Sequence, residues 1–231
     1  MRIKGNVNFE RNGLAQSIGA MHLDTEIFSI ASENIMGFDK IGYQRKEAVV
    51  SSFAEMIGIH ALSETVDDKV GRIAPTKNPL DFAINGKGYF QVLTPTGGIN
   101  MTRDGRFQLN KAGELVTLTG DNVLSDNGMK IKFPFFPEKL DEIKVNKDGV
   151  LTILNKETGK MELVGTIGVA SKTGERIEEK QIVQSHVESS NVDLATEFMA
   201  LVPYKRNFEA NARMYTIQKN NLSRVIQQLG S

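Results

Sequence analysis

The sequence predicts an α+β protein in which long N- and C-terminal helices pack as a coiled-coil-like pair, with an antiparallel all-β middle domain between them. Three observations predict it. Apolar residues recur every seven positions near both ends of the chain, the period falls to two in the middle, and the middle is punctuated by Asn-Gly, Asp-Gly and Thr-Gly pairs.

At the first end Leu14, Met21, Phe28 and Ile35 are seven apart and Ile18 follows the first by one turn, so a helix is expected from about Asn12 to Asn34. Residues 1–45 hold this helix and the turn after it, and residues 46–79, mixed in charge and weakly periodic, read as a connecting arm. Over 80–172 short alternating runs read as strands: Phe82 and Ile84, Tyr89 to Leu93, Phe107 and Leu109, Leu115 to Leu118, Ile131 and Phe133, Ile143 and Val145, Leu151 and Ile153, Ile167 and Val169. The pairs Asn85-Gly86, Asp104-Gly105, Asn127-Gly128, Asp148-Gly149 and Thr158-Gly159 supply residues that accept the positive φ of tight hairpins, and short strands joined by short turns pair antiparallel.

Residues 173–192 form a return segment, and 193–231 the second helix, expected from about Asp193 to Gln228. Leu201, Phe208, Tyr215, Leu222 and Leu229 give its main stripe, a mixed second stripe runs through Tyr204, Asn211, Gln218 and Val225, and Phe198, Ala212 and Ile226 widen the apolar face. Asp193 and Glu197 stand near its positive N-terminal end and Arg224 near its negative end. Pro203 should kink it or delay its regular part. Neither terminal helix can bury its stripe on itself, so the two are expected side by side, with the β domain as a separate body.

Composition narrows the chemistry. With 28 basic and 28 acidic residues the formal net charge is zero, which gives no field to attract nucleic acid or an anionic membrane. No cysteine is present, so disulfides, thiolate metal sites and cysteine nucleophiles are excluded. No apolar run is long enough for an integral membrane segment, and the start, MRIKGNVNFERNG, has no apolar run of a cleavable leader. Gly86-Lys87-Gly88 lacks the full phosphate-loop spacing and reads as a hairpin turn. His22, His60 and His186 are scattered, and the acidic pairs Asp67-Asp68 and Glu178-Glu179 sit beside lysines as solvated loop charge. The expectation is therefore no enzyme, no cofactor, no metal and no catalytic residue.

Several stretches carry a resemblance. Asn34-Ile35-Met36-Gly37-Phe38-Asp39-Lys40-Ile41-Gly42-Tyr43 resembles the Asn-Ile-Ala-Asn-x-x-Thr-x-Gly-Tyr/Phe signature that closes the first helix of the flagellar basal-body rod and hook family, with Met36, Gly37 and Lys40 in place of its Ala, Asn and Thr. The run from Asn78 to Val92, then Thr102-Arg103-Asp104-Gly105-Arg106-Phe107 and Gly113 to Thr117, is similar to the opening of that family's β domain. Val187 to Asp193 and Arg206 to Asn211 are similar to its C-terminal signature. On this resemblance Asn34, Ile35, Gly42, Tyr43, Asn191, Val192, Asp193, Arg206, Glu209 and Asn211 are the signature residues.

The resemblance implies a structural subunit of the bacterial flagellar basal-body rod, polymerising through its terminal helices into a drive shaft that transmits torque. The implied partners are copies of itself, other flagellar rod and hook proteins, and the flagellar export apparatus. The implied place is the basal body, in the periplasm after type III export from the cytoplasm. The short chain favours a rod over a hook subunit, and the short arms lean toward the proximal rod. Leu14, Ile18, Met21, Phe28 and Ile35 on the first helix and Phe198, Leu201, Phe208, Tyr215, Leu222, Val225 and Leu229 on the second are the expected subunit-packing residues. The alternatives are a hook-type subunit or assembly factor, and a non-flagellar binding module that its helices dimerise.

Overall fold

A computed structural model describes residues 13–50 and 62–229. The expected helix start at Asn12, the first twelve residues, His60 and the last two residues lie outside the described residues. The chain divides into two compact units. One holds the described parts of Met1–Met36, Arg45–Asp67 and Val192–Ser231, and the other Gly37–Gln44 with Asp68–Asn191.

In the helical unit α1 spans Gly13–Gly37 and α2 spans Leu194–Leu229, and the strands β1 (Lys46–Val50) and β2 (Leu62–Val66) pair antiparallel from Lys46↔Val66 to Val50↔Leu62. The helices run antiparallel, with Asn34 beside Glu197 near one end and Asp24 beside Asn211 further along. Asp193 caps α2: its carboxylate accepts hydrogen bonds from the backbone N–H of Ala195 and of Thr196, both at 3.3 Å, satisfying donors the first turn leaves over. Pro203 does not delay the regular part, because α2 begins at Leu194 and runs through it. Proline has no N–H to donate, so the Met199 carbonyl, four residues before it, lacks its helical partner.

The second unit is built from antiparallel strands. Its largest sheet has β5 (Tyr89–Leu93) as a central strand. On one edge of β5, β13 (Val169–Ala170) pairs at Tyr89 and Phe90 and β9 (Asn122–Val123) at Val92 and Leu93, and the order continues from β9 through β8 (Leu115–Thr117) to β7 (Phe107–Leu109). The strand β6 (Ile99–Thr102) also pairs with β5. A three-stranded sheet joins β10 (Ile143–Val145), β11 (Val150–Asn155) and β12 (Lys160–Thr166) in that order. Alternation along β11 buries Leu151 and Ile153, and the main core gathers these with Phe82, Phe90, Phe107, Leu115, Ile131 and Ile167. Phe90 meets Phe107 edge-on with ring centroids 5.2 Å apart.

Three expectations need correction. The spans read as arms, 46–79 and 173–192, carry paired strands: besides the β1–β2 hairpin, β3 (Ile73–Pro75) pairs with β15 (His186–Glu188), and β4 (Phe82–Ile84) with β14 (Ile182–Gln184). These pairings join segments about a hundred residues apart, which local periodicity does not register. Ile131 and Phe133 are buried but flank an isolated bridge, Glu114↔Lys132, and form no strand. Gly86, Gly128, Gly149 and Gly159 have positive φ, whereas Gly105 does not. Glycine is required at 105 for a different reason: a Cβ there would lie 1.8 Å from the Phe82 carbonyl oxygen. Gly105 in turn accepts the Phe82 N–H at 2.9 Å, so the two backbones touch.

Gly105→Ala should therefore destabilise the β unit by about 1–3 kcal/mol through overpacking against backbone. Gly165→Ala, where nothing stands within 4 Å of the added carbon, should stay within about 0.5 kcal/mol of the parent. Urea melts of both variants check this.

Candidate assembly surface

Helix α1 presents two distinct faces. Ser17, Asp24, Ile27, Ala31 and Asn34 are its buried side chains, and they follow one another at intervals that keep them on one side of a helix. The expected stripe is rotated from this face by about one residue: Ile18 and Phe28 are 51% and 45% exposed, and Leu14, Met21 and Ile35 are half-buried. On α2 only Glu197 is fully buried. Leu201, Tyr204, Asn211, Tyr215 and Gln218 are half-buried, while Phe198, Phe208, Leu222, Val225 and Leu229 are exposed. Ile18, Phe198, Leu222, Val225 and Leu229 are thus left largely exposed, while Phe28 and Phe208, also partly exposed, stand beside Asp24.

Polar contacts anchor the helix pair at one end. The Asn34 side-chain amide imitates a strand partner for Lys46, accepting its N–H at 2.8 Å and donating to its carbonyl at 2.9 Å. The same Nδ2 reaches Glu197 at 3.2 Å, and Arg45 Nε donates to the other Glu197 oxygen. The Lys46 ammonium lies 2.7 Å from Glu33 and 2.8 Å from Glu64, and these hydrogen bonds, Glu33's first, raise its pKa. Further along, Asn211 donates to Asp24 at 3.5 Å, and burial pushes the Asp24 carboxyl above its ordinary value.

The signature residues do not form one site. Asn34, Ile35, Val192, Asp193, Arg206, Glu209 and Asn211 belong to the helical unit, and Gly42, Tyr43 and Asn191 to the β unit. Arg206 and Glu209 are exposed on α2. In the β unit three recognised stretches meet. Gly42, at φ +70°, donates its N–H to the Glu188 carbonyl at 2.7 Å, and a Cβ there would lie 2.3 Å from the Asp104 nitrogen. The Tyr43 ring closes over Gly37, where a Cβ would meet ring carbons at 2.5 Å, and the Asn191 N–H donates to the Tyr43 carbonyl. Arg103 is the residue that spacing did not single out. Its side chain is 2% exposed, and the guanidinium pairs with the Glu188 carboxylate at 3.0 Å and donates to the Ile84 and Gly86 carbonyls. Burial raises the Glu188 pKa, while the Gly71 N–H and Arg103 oppose that rise.

Among the described residues no group of histidine and carboxylate side chains is placed to hold a metal ion, and no helix is long and apolar enough to cross a membrane. Gly86-Lys87-Gly88 is not the hairpin turn expected: it links β4 to β5, which pair with different strands, and both glycines have positive φ.

Removing the Asn34 amide strips Lys46 of two backbone partners and Glu197 of one. Asn34→Ala should cost about 1–3 kcal/mol in the melting of the helical unit followed by circular dichroism. Asn34→Asp loses the donor and sets a second carboxylate against Glu197, so it should cost at least as much.

Two family models match the chain: the flagellar hook protein FlgE/F/G D1 domain over residues 83–153, and the flagellar basal body rod FlgEFG protein C-terminal region over residues 183–228. A flagellar basal-body rod protein FlgF of Mesorhizobium japonicum is 29% identical over 233 residues, covering 94% of this chain and 95% of the relative. Flagellar basal-body rod proteins FlgG of Buchnera aphidicola and Bacillus subtilis are 28% and 27% identical. The alignments cover 76% and 86% of this chain, and 75% and 89% of the relatives. The two matched regions include the Arg103–Glu188 pair and most of α2, and the relatives align across both units. The chain belongs to the flagellar basal-body rod family, a family of structural proteins of the bacterial flagellum and not of enzymes.

Proposed function

We propose that this protein is a rod subunit whose two helices build the wall of an axial tube by packing against copies of itself and against neighbouring rod and hook proteins. The observation that carries this reading is the outward set of large apolar side chains: Ile18 and Phe28 on α1, and Phe198, Phe208, Leu222, Val225 and Leu229 on α2. Each contributes about 1.5–3 kcal/mol when fully buried from water, and the helix pair leaves them 41% to 83% exposed. A neighbouring subunit that covers them supplies the energy of assembly, and close packing of many such helices in a coiled-coil-like wall supplies the stiffness that torque transmission needs. Leu14, Met21, Ile35, Leu201 and Tyr215 complete the packing surface from its half-buried edge. The β unit carries its own core and contributes no helix to the wall. Export by the flagellar type III apparatus and polymerisation in the periplasm complete the proposal.

Phe208 separates assembly from folding because it is 41% exposed in the single chain. Phe208→Asp should leave the stability of the β unit and secretion nearly unchanged while abolishing incorporation into basal bodies, since the new carboxylate would be buried without a partner. Phe208→Leu should be much milder. Immunoblots of secreted and basal-body fractions, with melts of the purified variants, check both. Normal incorporation of Phe208→Asp would remove this face from the subunit contact.

A further inference from the structure

The helical unit carries a pocket of about 220 Å³ lined by Asp24, Thr25, Phe28, Tyr204, Lys205 and Phe208, with room for several water molecules. Its walls are aromatic and its one acid is poorly compensated. Asp24 is 8% exposed, and the hydrogen bond it receives is the long one from Asn211. Lys205 lines the same pocket, but its ammonium lies 4.0 Å from Glu209. Along α1 the titratable neighbours are His22 and Glu26, 3.5 Å from each other. Among the described residues Asp24 makes no ion pair, and an acid held against aromatic walls in this way is the complement of a long aliphatic side chain that ends in a positive charge.

The chain holds such side chains in one place. Helix α1 contains Asp24, Glu26 and Glu33 and no lysine or arginine, whereas α2 beyond Glu209 contains Arg213, Lys219 and Arg224 and no acid. All three cations are exposed, on the same half of α2 as the exposed Leu222, Val225, Ile226 and Leu229. An acidic pocket and a basic helix surface on different parts of one chain favour a head-to-tail contact between copies, which propagates as a helix or closes as a ring.

We propose that this pocket receives an arginine or lysine side chain from the basic half of α2 of a second copy of this chain, its stem against Phe28, Tyr204 and Phe208 and its charge on the Asp24 carboxylate. The proposal rests on the reading of the helices as an assembly surface, and it names the chemistry of one contact within that surface. It gives pH two opposite effects. Burial raises the Asp24 pKa, so in the single chain the ionised form opposes folding and a fall in pH through that raised value relieves the cost. Association needs the carboxylate, so the same fall in pH weakens it.

The test uses the purified full chain, with self-association measured by sedimentation over a concentration series at neutral and mildly acidic pH. Asp24→Asn should melt no lower than the parent yet self-associate about tenfold more weakly, and its association should lose the parent's pH dependence. Replacing Arg213, Lys219 and Arg224 by glutamine should weaken association to a similar degree, and adding Asp24→Asn to that variant should cost less than it does alone. Asp24→Asn associating like the parent at both pH values would overturn the proposal. So would a parent chain that stays monomeric and enters only mixed assemblies with another axial protein. Phe208→Asp distinguishes the two levels: if it blocks association while Asp24→Asn does not, only the pocket contact fails, and if neither does, the assembly face itself is misplaced.

Discussion

Glu197, 1% exposed near the start of α2, meets Asn34 and Arg45, and this buried polar contact decides which side of α1 faces its partner helix. Once Asn34 is turned inward, helical geometry turns Ala31, Ile27, Asp24 and Ser17 inward with it. Three of these five side chains are polar, so the face they make buries little apolar area. Ile18 and Phe28 are then committed to the outside by the same rotation. A seam of this kind aligns two helices without exhausting their capacity to bind others, which is what a subunit needs if its assembled state is to be more stable than its free state.

The β unit uses a buried ion pair for a related purpose. Arg103 and Glu188 stand far apart in sequence, and each also holds backbone groups: Ile84 and Gly86 for the arginine, Gly71 for the glutamate. The Coulombic attraction of such a pair is largely offset by desolvation, so its value lies in fixing geometry more than in adding stability. Gly42 packs against the Asp104 backbone and bonds the Glu188 carbonyl, so the turn after α1 is seated on the same point. Gly42 and the charged pair are therefore parts of one arrangement, in which three separated stretches of chain approach closely.

Much of this was legible in the sequence, for reasons that differ by element. The helices and most central strands follow from periodicity because burial on one side imposes a period. Which stripe of α1 is buried within the subunit was not legible, since apolar counting favours Phe28 over Asn34, and Asn34 is turned inward by hydrogen bonds to Lys46 and Glu197. The β3–β15 and β4–β14 pairings escaped because each links short segments across more than a hundred positions or close to it. At Gly105 the residue type was informative and the mechanism was not: glycine is there for the Phe82 carbonyl, and a turn reading cannot distinguish steric room from a left-handed backbone.

The net charge of zero conceals a segregation that matters more than the sum. Acidic α1 and the basic half of α2 belong to one unit, yet the described hydrogen bonds between the two helices fall at Asn34–Glu197 and Asp24–Asn211, and neither involves Arg213, Lys219 or Arg224. Those cations stand on a stretch of α2 that is exposed from Lys219 to Leu229. If the subunit met its copies through one self-complementary patch, it would close as a dimer and growth would stop. Unlike surfaces at different positions on the helix pair instead leave one surface open after each addition. On the proposed reading, charge segregation within a neutral chain favours continued growth, while zero net charge limits the long-range repulsion between stacked copies.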